Sequence, residues 1–468
     1  MKASMSRREL LRGFGVGAAA VTLAACQPKV VEKIVKETVV VKEEVEVEKE
    51  VTKVVEKEVE KVVKETVVVP QETTKVVFWH IFGSGPSRDI FDKLVVDFGT
   101  ANPGYIVESV FTDFWTYDQK FLAAVAAGDP PDVIMGDMTR AGQRAEAQQI
   151  IALSEYMTRD NFTLDNFVPY GVKDVNYKGE VWGVPFGPDT RILYYNKTAF
   201  EEVGLDPNTP PTTWDELWEF AHKLDVKDSA GNWTRIGFSP LWGNVWFMPF
   251  IWSNGAVVVD EGGGFHFDSP EVIETAKWYQ SWVEYYGKEN LDLFSSGFGT
   301  EANDPFMSGQ VPMIVQTNGY IGELLKYAPD LQWGAGLIPH NGTPASWGAG
   351  FDLEVPNGAK NPDGGWEFIK FLVTKDVAVT WAKASGWFPA RMDAAQDPAL
   401  LEVPGWDVVL ESMAVTQSRQ FVLEAPTWYG PLITGFQEVW DGVKTPEQAM
   451  ADAQEAVEQE VENYAATH

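Results

Sequence analysis

Cysteine is nearly absent: Cys26 is the only one in 468 residues, so the chain can close no internal disulfide. Five histidines, none in HxxxH or HExxH spacing, leave no metal site with the usual ligands. Neither a GxxxxGK[ST] loop nor a GxGxxG after a strand is present, and no cofactor is expected. Positive charge is scarce as well. Lys and Arg number 37 against 68 acidic residues, the formal charge is −31, and no basic run breaks the acidity after Val69, which argues against nucleic acid and other polyanions as partners. From Lys29 to Val69 there is no glycine, proline or aromatic, so that stretch belongs to no globular core. What the chain has in abundance is rings, with Trp 19, Phe 27 and Tyr 14, or 13% of the residues. Many of the tryptophans adjoin Gly, Pro, Asn or Asp instead of forming helical stripes, which suits pocket walls better than core layers.

The start of the chain reads as an export leader, residues 1–25, with Lys2, Arg7 and Arg8 ahead of an apolar run from Gly13 to Ala25 that is too short for a committed membrane span. Ser6-Arg7-Arg8-Glu9-Leu10-Leu11 resembles a twin-arginine signal. Leu23-Ala24-Ala25-Cys26 resembles a lipobox, whose cysteine thiol takes a diacylglycerol and anchors the chain to the membrane. Residues 26–72 then form a stalk. Val31 to Val41 recurs at Val59 to Val69 with Val62 in place of Ile34, four heptads on, and apolar or Thr positions alternate in steps of three and four. The spacing predicts a helical or coiled-coil stalk; the poor helix propensity of Val and Thr leaves an extended or disordered tether as the alternative.

The remainder is long enough for two lobes with substantial cores. Lys75 to Ile81 reads as a strand running into Gly83-Ser84-Gly85-Pro86 and a helix from Ser87. Tyr105 to Phe111, a helix over Gln119 to Ala127, and the short run Pro131 to Met135 continue the alternation. That pattern predicts a parallel sheet with ligands at the carboxyl ends of its strands, which brings His80, Phe82, Ser84, Asp137 and Arg140 toward one crevice. From Tyr177 to Lys197 the chain reads YKGEVWGVPFGPDTRILYYNK. Pro185 bars its first β run from an ordinary central strand, Gly187-Pro188 breaks it, and a second run from Ile192 begins at once. Thr213 to Glu216 is a capping box opening a helix. Phe238 to Gly255 carries Trp242, Asn244 and Trp246 too irregularly for a simple amphipathic element.

These motifs, with "GDPPDVIMGD", "PTTWDEL", the run from Phe306 to Tyr320, "GWEFIKFL" and Ser385 to Arg391, resemble the periplasmic sugar-binding proteins of ABC transporters, extracellular solute-binding protein family 1 in its maltose-binding-protein-like branch. Proline replaces the usual alanine at Pro312, and Tyr320 stands where tryptophan is common. The resemblance covers most of the chain after Lys75. It implies an α/β, two-lobed periplasmic-binding-protein fold (type II, Venus flytrap) with a hinge, the first lobe being 73–188 with 350–374 and the second 189–349 with 375–468. It also implies ligand-binding roles for Asp189 at the first crossing between lobes, Trp242, Asn244 and Trp246 in the second lobe, Tyr320, Trp347 and Asp352 near a second crossing, Trp387, and Trp428 as a late stacking ring.

The function so implied is an extracytoplasmic lipoprotein that captures a sugar or oligosaccharide between its lobes and hands it to the membrane permease of an ABC importer. Flat rings for pyranose faces with scattered acids and amides for hydroxyls suit such a receptor, whereas a glycosidase needs two carboxylates flanking one bond. A carbohydrate-active enzyme, built on a pair drawn from Asp132, Asp137, Asp189 and Asp352, and a stalked adhesin are the alternatives. The residues leave the sugar unidentified and a polyol or glycerol phosphodiester open.

Overall fold

The computed structural model describes residues 29–45, 53–69 and 73–467; the leader and Cys26 lie outside them. Two compact units divide the chain, one of residues 1–75 with 96–107 and one of residues 76–95 with 108–468. In the first, β1 (Lys29–Val45) and β2 (Lys53–Val69) pair antiparallel from Lys29↔Val69 to Val45↔Lys53. The heptad spacing predicts a helix here, and the structure has a hairpin instead. Valine and threonine, stiff at χ1, favour extended backbone, and a repeated sequence offers a matching partner strand.

The sheets of two lobes lie mostly in the second unit, with the first residues of two of their strands and the end of the helix between them assigned to the first. β3 (Thr74–His80) leads into α1 (Gly85–Ala101), then β4 (Tyr105–Phe111), α2 (Phe114–Ala126), β5 (Val133–Asp137), the short helix α3 (Ala141–Glu146) and α4 (Pro169–Val175). β6 (Val184–Pro188) and, much later, a returning strand complete a five-stranded sheet. In the other lobe β7 (Arg191–Asn196) is flanked by β8 (Met313–Thr317) and β9 (Trp333–Gly336), both antiparallel to it. β10 (Ser346–Gly348) then passes directly into that returning strand, β11 (Gly350–Glu354), and the first sheet has the order β4-β3-β5-β11-β6.

The βα alternation predicts a parallel sheet, and β3 and β5 do run parallel. β11 departs from it, lying antiparallel to both β5 and β6, because the chain re-enters from the other lobe at the opposite end of the sheet. β6 is an edge strand, the place a strand containing Pro185 can occupy. Its pairing with β11 shifts register between Phe351 and Asp352.

Two crossings, β6 to β7 through Asp189-Thr190 and β10 to β11 through Ala349, run side by side. The Tyr170 hydroxyl bridges them, donating to the carbonyl of Asp189 at 2.7 Å and lying 3.3 Å from that of Ala349. Thr190 Oγ1 sits in a buried hydroxyl cluster with Ser346 (2.9 Å), Ser412 (2.7 Å) and Thr416 (2.6 Å). Gly350 has φ +97, and a Cβ there would stand 2.2 Å from the Gly187 carbonyl oxygen, so the close approach of the strands requires glycine.

Elsewhere the sequence cues hold. Thr213 and Glu216 form the capping box of α5 (Trp214–Leu224), whose Leu217, Ala221 and Leu224 are buried. Two more helices, α6 (Tyr429–Trp440) and α7 (Pro446–Thr467), pack together, α7 burying Ala449, Ala453 and Val457. Among the described residues no helix is long and apolar enough to cross a membrane.

Candidate ligand-binding cleft

A cleft of about 950 Å3 opens beside the crossings, lined from the first lobe by Phe114, Trp115, Asp137, Arg140 and Phe351 and from the second by Asn244, Trp246, Trp347, Trp387, Arg419 and Tyr429, among others. Its size lies at the upper end of the ~300–1,000 Å3 typical of small-molecule sites.

The wall beside the hinge is built on Arg191, at the start of β7. Its guanidinium pairs with Asp189 and donates to the carbonyls of Trp347 (3.0 Å) and Asn244 (3.1 Å) and to Asn244 Oδ1 (3.2 Å). The Trp347 ring lies 4.2 Å from the same guanidinium carbon, a cation–π contact. Asp189 also accepts the Ala349 amide at 2.8 Å, so one carboxylate ties both crossings. Burial pushes its pKa up, against the pull of Arg191 and the amide.

Asp137 ends β5, where its carboxylate accepts from Thr139 N (3.0 Å) and Oγ1 (2.7 Å). Arg140, one turn on, pairs with Asp118 of α2. Trp246 is held in left-handed backbone (φ 52) and its carbonyl accepts from Tyr279 at 2.7 Å, leaving the ring 43% exposed. Trp115, at the start of α2, is 80% exposed on the other lobe. Trp387 donates Nε1 to Ser87 Oγ at 3.1 Å, joining second lobe to first.

Seven of the residues singled out in the sequence therefore stand in the cleft wall: Asp137, Arg140, Asp189, Asn244, Trp246, Trp347 and Trp387. The other seven do not. His80 is buried between the rings of Phe78 and Phe91, and burial, then Arg88, lower its pKa to about 4. Phe82 packs behind the wall on Phe351 and Trp381, and Ser84 is exposed at the start of α1. Trp242 turns into the second lobe against Phe294 and Phe298, while the Tyr320 hydroxyl bonds Asp304. Asp352 is fully buried on β11 with Arg144 at 3.8 Å, and burial, then Glu354, push its pKa well above the carboxylate range. Trp428 donates to the Gln420 carbonyl at 3.0 Å and packs on Phe265 and Phe267, a core ring.

Sequence reasoning passed over Phe114, Trp115, Arg191, Arg419 and Tyr429. Arg191 was signalled by its place right after the first crossing, and Tyr429 by its place next to Trp428. Arg419 stands in no recognisable motif. Among the described residues no group of three or more His, Cys, Asp or Glu side chains is placed to hold a metal.

A family model described as "Bacterial extracellular solute-binding protein" matches residues 84–379. The sn-glycerol-3-phosphate-binding periplasmic protein UgpB of Shigella dysenteriae is 26% identical over 424 residues, covering 82% of this chain and 92% of its own. Its counterpart in Salmonella typhimurium is 26% identical over 411 residues, covering 81% and 91%. Among solved structures, CpMnBP1 with mannobiose bound superposes with a TM-score of 0.74 at 28% identity, over 81% of this chain and 98% of that one. Maltose-bound MalE3 of T. maritima shares the fold, with a TM-score of 0.69 at 23% identity over 82% of this chain and 99% of its own.

Proposed function

Because the chain belongs to the bacterial extracellular solute-binding protein family, we propose that it is the receptor of a carbohydrate importer, enclosing a saccharide between its lobes and presenting it to an ABC permease. The observation that carries this reading is the composition of the cleft: rings from both lobes, Trp115 on one and Trp246, Trp347 and Tyr429 on the other, interspersed with Asp137, Arg140 and Asn244. Rings stack on the apolar faces of pyranoses, and charged or amide groups bond their hydroxyls. A ligand that touches both lobes favours the closed state by its differential contacts, and the paired crossings are where the backbone would turn.

Three features support binding without catalysis. Asp189 is occupied by Arg191 and the Ala349 amide, Asp137 by Thr139, and Asp441 faces Lys288 at 3.5 Å. Among the described lining residues the carboxyls are thus held by separate protein partners, where a glycosidase needs two directed at one bond. The lipobox adds that the receptor is tethered by Cys26 at the outer face of the cytoplasmic membrane.

Calorimetric titration of the protein with a panel of di- to pentasaccharides, with thin-layer analysis of the recovered sugars, tests the reading. Saturable one-site binding with the sugar returned intact is the expected result. Absence of binding or of a melting shift across the panel would overturn it, and cleaved sugar would mark an enzyme.

A further inference from the structure

β1 and β2 form a sheet of their own, and among the described residues no third strand pairs with either. Each is 17 residues long, which is about 55 Å of extended chain. In an antiparallel ladder alternate residues turn their N–H and C=O to opposite sides, so about half of the backbone groups of each strand face away from its partner. A lone two-stranded hairpin is marginal in water; three or more strands are needed for a sheet to stand by itself. The usual protections of a free edge are missing as well. Residues 29–69 contain neither proline nor glycine, and the register runs from Lys29↔Val69 to Val45↔Lys53 without a bulge. Charge is the one safeguard left.

The repeat supplies a further strand that this safeguard does not exclude. Residues 59–69 copy residues 31–41 with Val62 for Ile34, so the hairpin is a strand paired antiparallel with a copy of its own sequence. Val35 stands opposite Val63, its counterpart in the repeat, with Lys33 opposite Glu65 and Glu37 opposite Lys61. The β1 of a second molecule offers that sequence once more. Laid antiparallel along the open edge of the first β1, it sets Val35 opposite Val35, Lys33 opposite Glu37, Val31 opposite Val39 and Val30 opposite Val40. Over residues 29–41 this register places no like charges opposite each other, so the charge that repels a foreign strand admits this one. The β2 edge has the same symmetry and a poorer match, since Glu58 there falls opposite Val68 where β1 sets Val30 opposite Val40.

We propose that the hairpin is a homodimerisation element, in which β1 pairs antiparallel with β1 of a second copy of this chain about a two-fold axis between their Val35 residues. The product is a four-stranded sheet in the order β2-β1-β1-β2. Such a contact uses the same surface on both copies and closes at two. It rests on the hairpin alone and holds whatever the cleft binds, and it gives each assembly two solute-binding units.

The test uses the full chain carrying Cys26→Ser, which leaves no other thiol. Sedimentation equilibrium at micromolar concentration is expected to give the mass of a dimer. Val35→Cys in that background is expected to form a covalent dimer under mild oxidation, because residues directly opposite lie about 4.5–5.5 Å apart at Cα, within reach of a disulfide. Thr38→Cys is expected to stay uncross-linked, since its two copies stand six positions apart along the ladder, about 20 Å. A chain that sediments as a monomer overturns the proposal, and so does a dimer in which Val35→Cys fails to cross-link. Equal cross-linking through Val35→Cys and Thr38→Cys would mark a parallel, in-register bundle and overturn the antiparallel contact. Cross-linking through Val63→Cys as readily as through Val35→Cys, in an assembly larger than two, would put the β2 edge in use and overturn the closed dimer.

Discussion

Asp189 illustrates how a residue can stand in a binding wall and still serve the scaffold. The sequence resemblance implies a carboxylate on sugar hydroxyls, but in the structure its Oδ1 already accepts from Arg191 and from the Ala349 amide. Removing one partner of a buried ion pair leaves the other charge uncompensated, which costs about 3–5 kcal/mol. Asp189→Asn is therefore expected to lower the ligand-free melting temperature, with any loss of affinity following from the loosened crossings. An unchanged melt with binding lost, measured by calorimetry beside a thermal scan, would return Asp189 to the ligand. Asp174 gives a second test at this scale. It lies on α4 in the first lobe, accepts from Ser418 at 2.8 Å, and has an unpartnered Oδ2. Burial raises its pKa to about 7, against an ordinary value near 4. Between those values the folded state binds more protons than the unfolded one, so stability attached to this group falls as pH rises from about 4 through 7. The loss is at most about 4 kcal/mol, each unit being worth about 1.4. Asp174→Asn should thus raise the melting temperature at pH 8 and have a much smaller effect at pH 4; an equal effect at both would show that the carboxyl is not the cause.

At the scale of elements, legibility followed local chemistry. The capping box at Thr213 and the edge strand around Pro185 each rest on residues adjacent in sequence, and both stand in the structure; the break expected at Gly187-Pro188 does not, since both residues stay in β6, paired with Phe351 and Gly350, and the chain leaves the strand only at Asp189. The antiparallel return of β11 did not show, because strand direction depends on where the chain comes back from, which is a long-range fact. The cleft divided in the same way. Trp246 and Trp347 were found through their glycine-punctuated surroundings, whereas Trp242 and Trp428, in similar settings, turn inward to rings supplied by distant segments, Phe294 and Phe298 for one, Phe265 and Phe267 for the other. Arg419 was missed because its meaning comes from Trp347 and Tyr429 beside it. In the stalk the heptad period favours a helix and the β-branched residues favour extended backbone, and the structure follows the second, pairing them as β1 and β2. The described residues that line the cleft fall between Phe114 and Asp441. A chain beginning at Thr73 is expected to bind ligand as the full chain does. A tenfold weakening, about 1.4 kcal/mol by titration, would show that the hairpin takes part in the site.

The molecule as a whole is a receptor whose ends have different tasks. Family membership places it outside the cytoplasm, where under the proposed function the cleft would meet solute and permease. A freely diffusing receptor suits an enclosed periplasm; one exposed at a cell surface is lost unless held. The lipobox-like Leu23-Ala24-Ala25-Cys26, behind a leader with paired arginines, is our proposed solution to that problem. Diacylation offers two acyl chains, and since each buried CH2 contributes about 0.8 kcal/mol, two chains hold a protein where one would exchange. In the order of the chain, the two 17-residue strands of the hairpin come after the proposed anchor and before the residues of the cleft. Under the proposed tethering, the receptor would sample solute while its local concentration at a permease stays high, an effective-concentration gain that requires no tighter docking contact. Cys26→Ser removes the only thiol and with it the proposed acylation site. The variant is expected to leave the membrane fraction for the soluble one with its ligand affinity unaltered, and uptake of the labelled sugar by intact cells should fall because receptor and permease no longer share a surface. Fractionation, titration and transport assays on the same strain check the three parts separately, and a Cys26→Ser protein that still sediments with membranes would mean the anchor lies elsewhere in the chain.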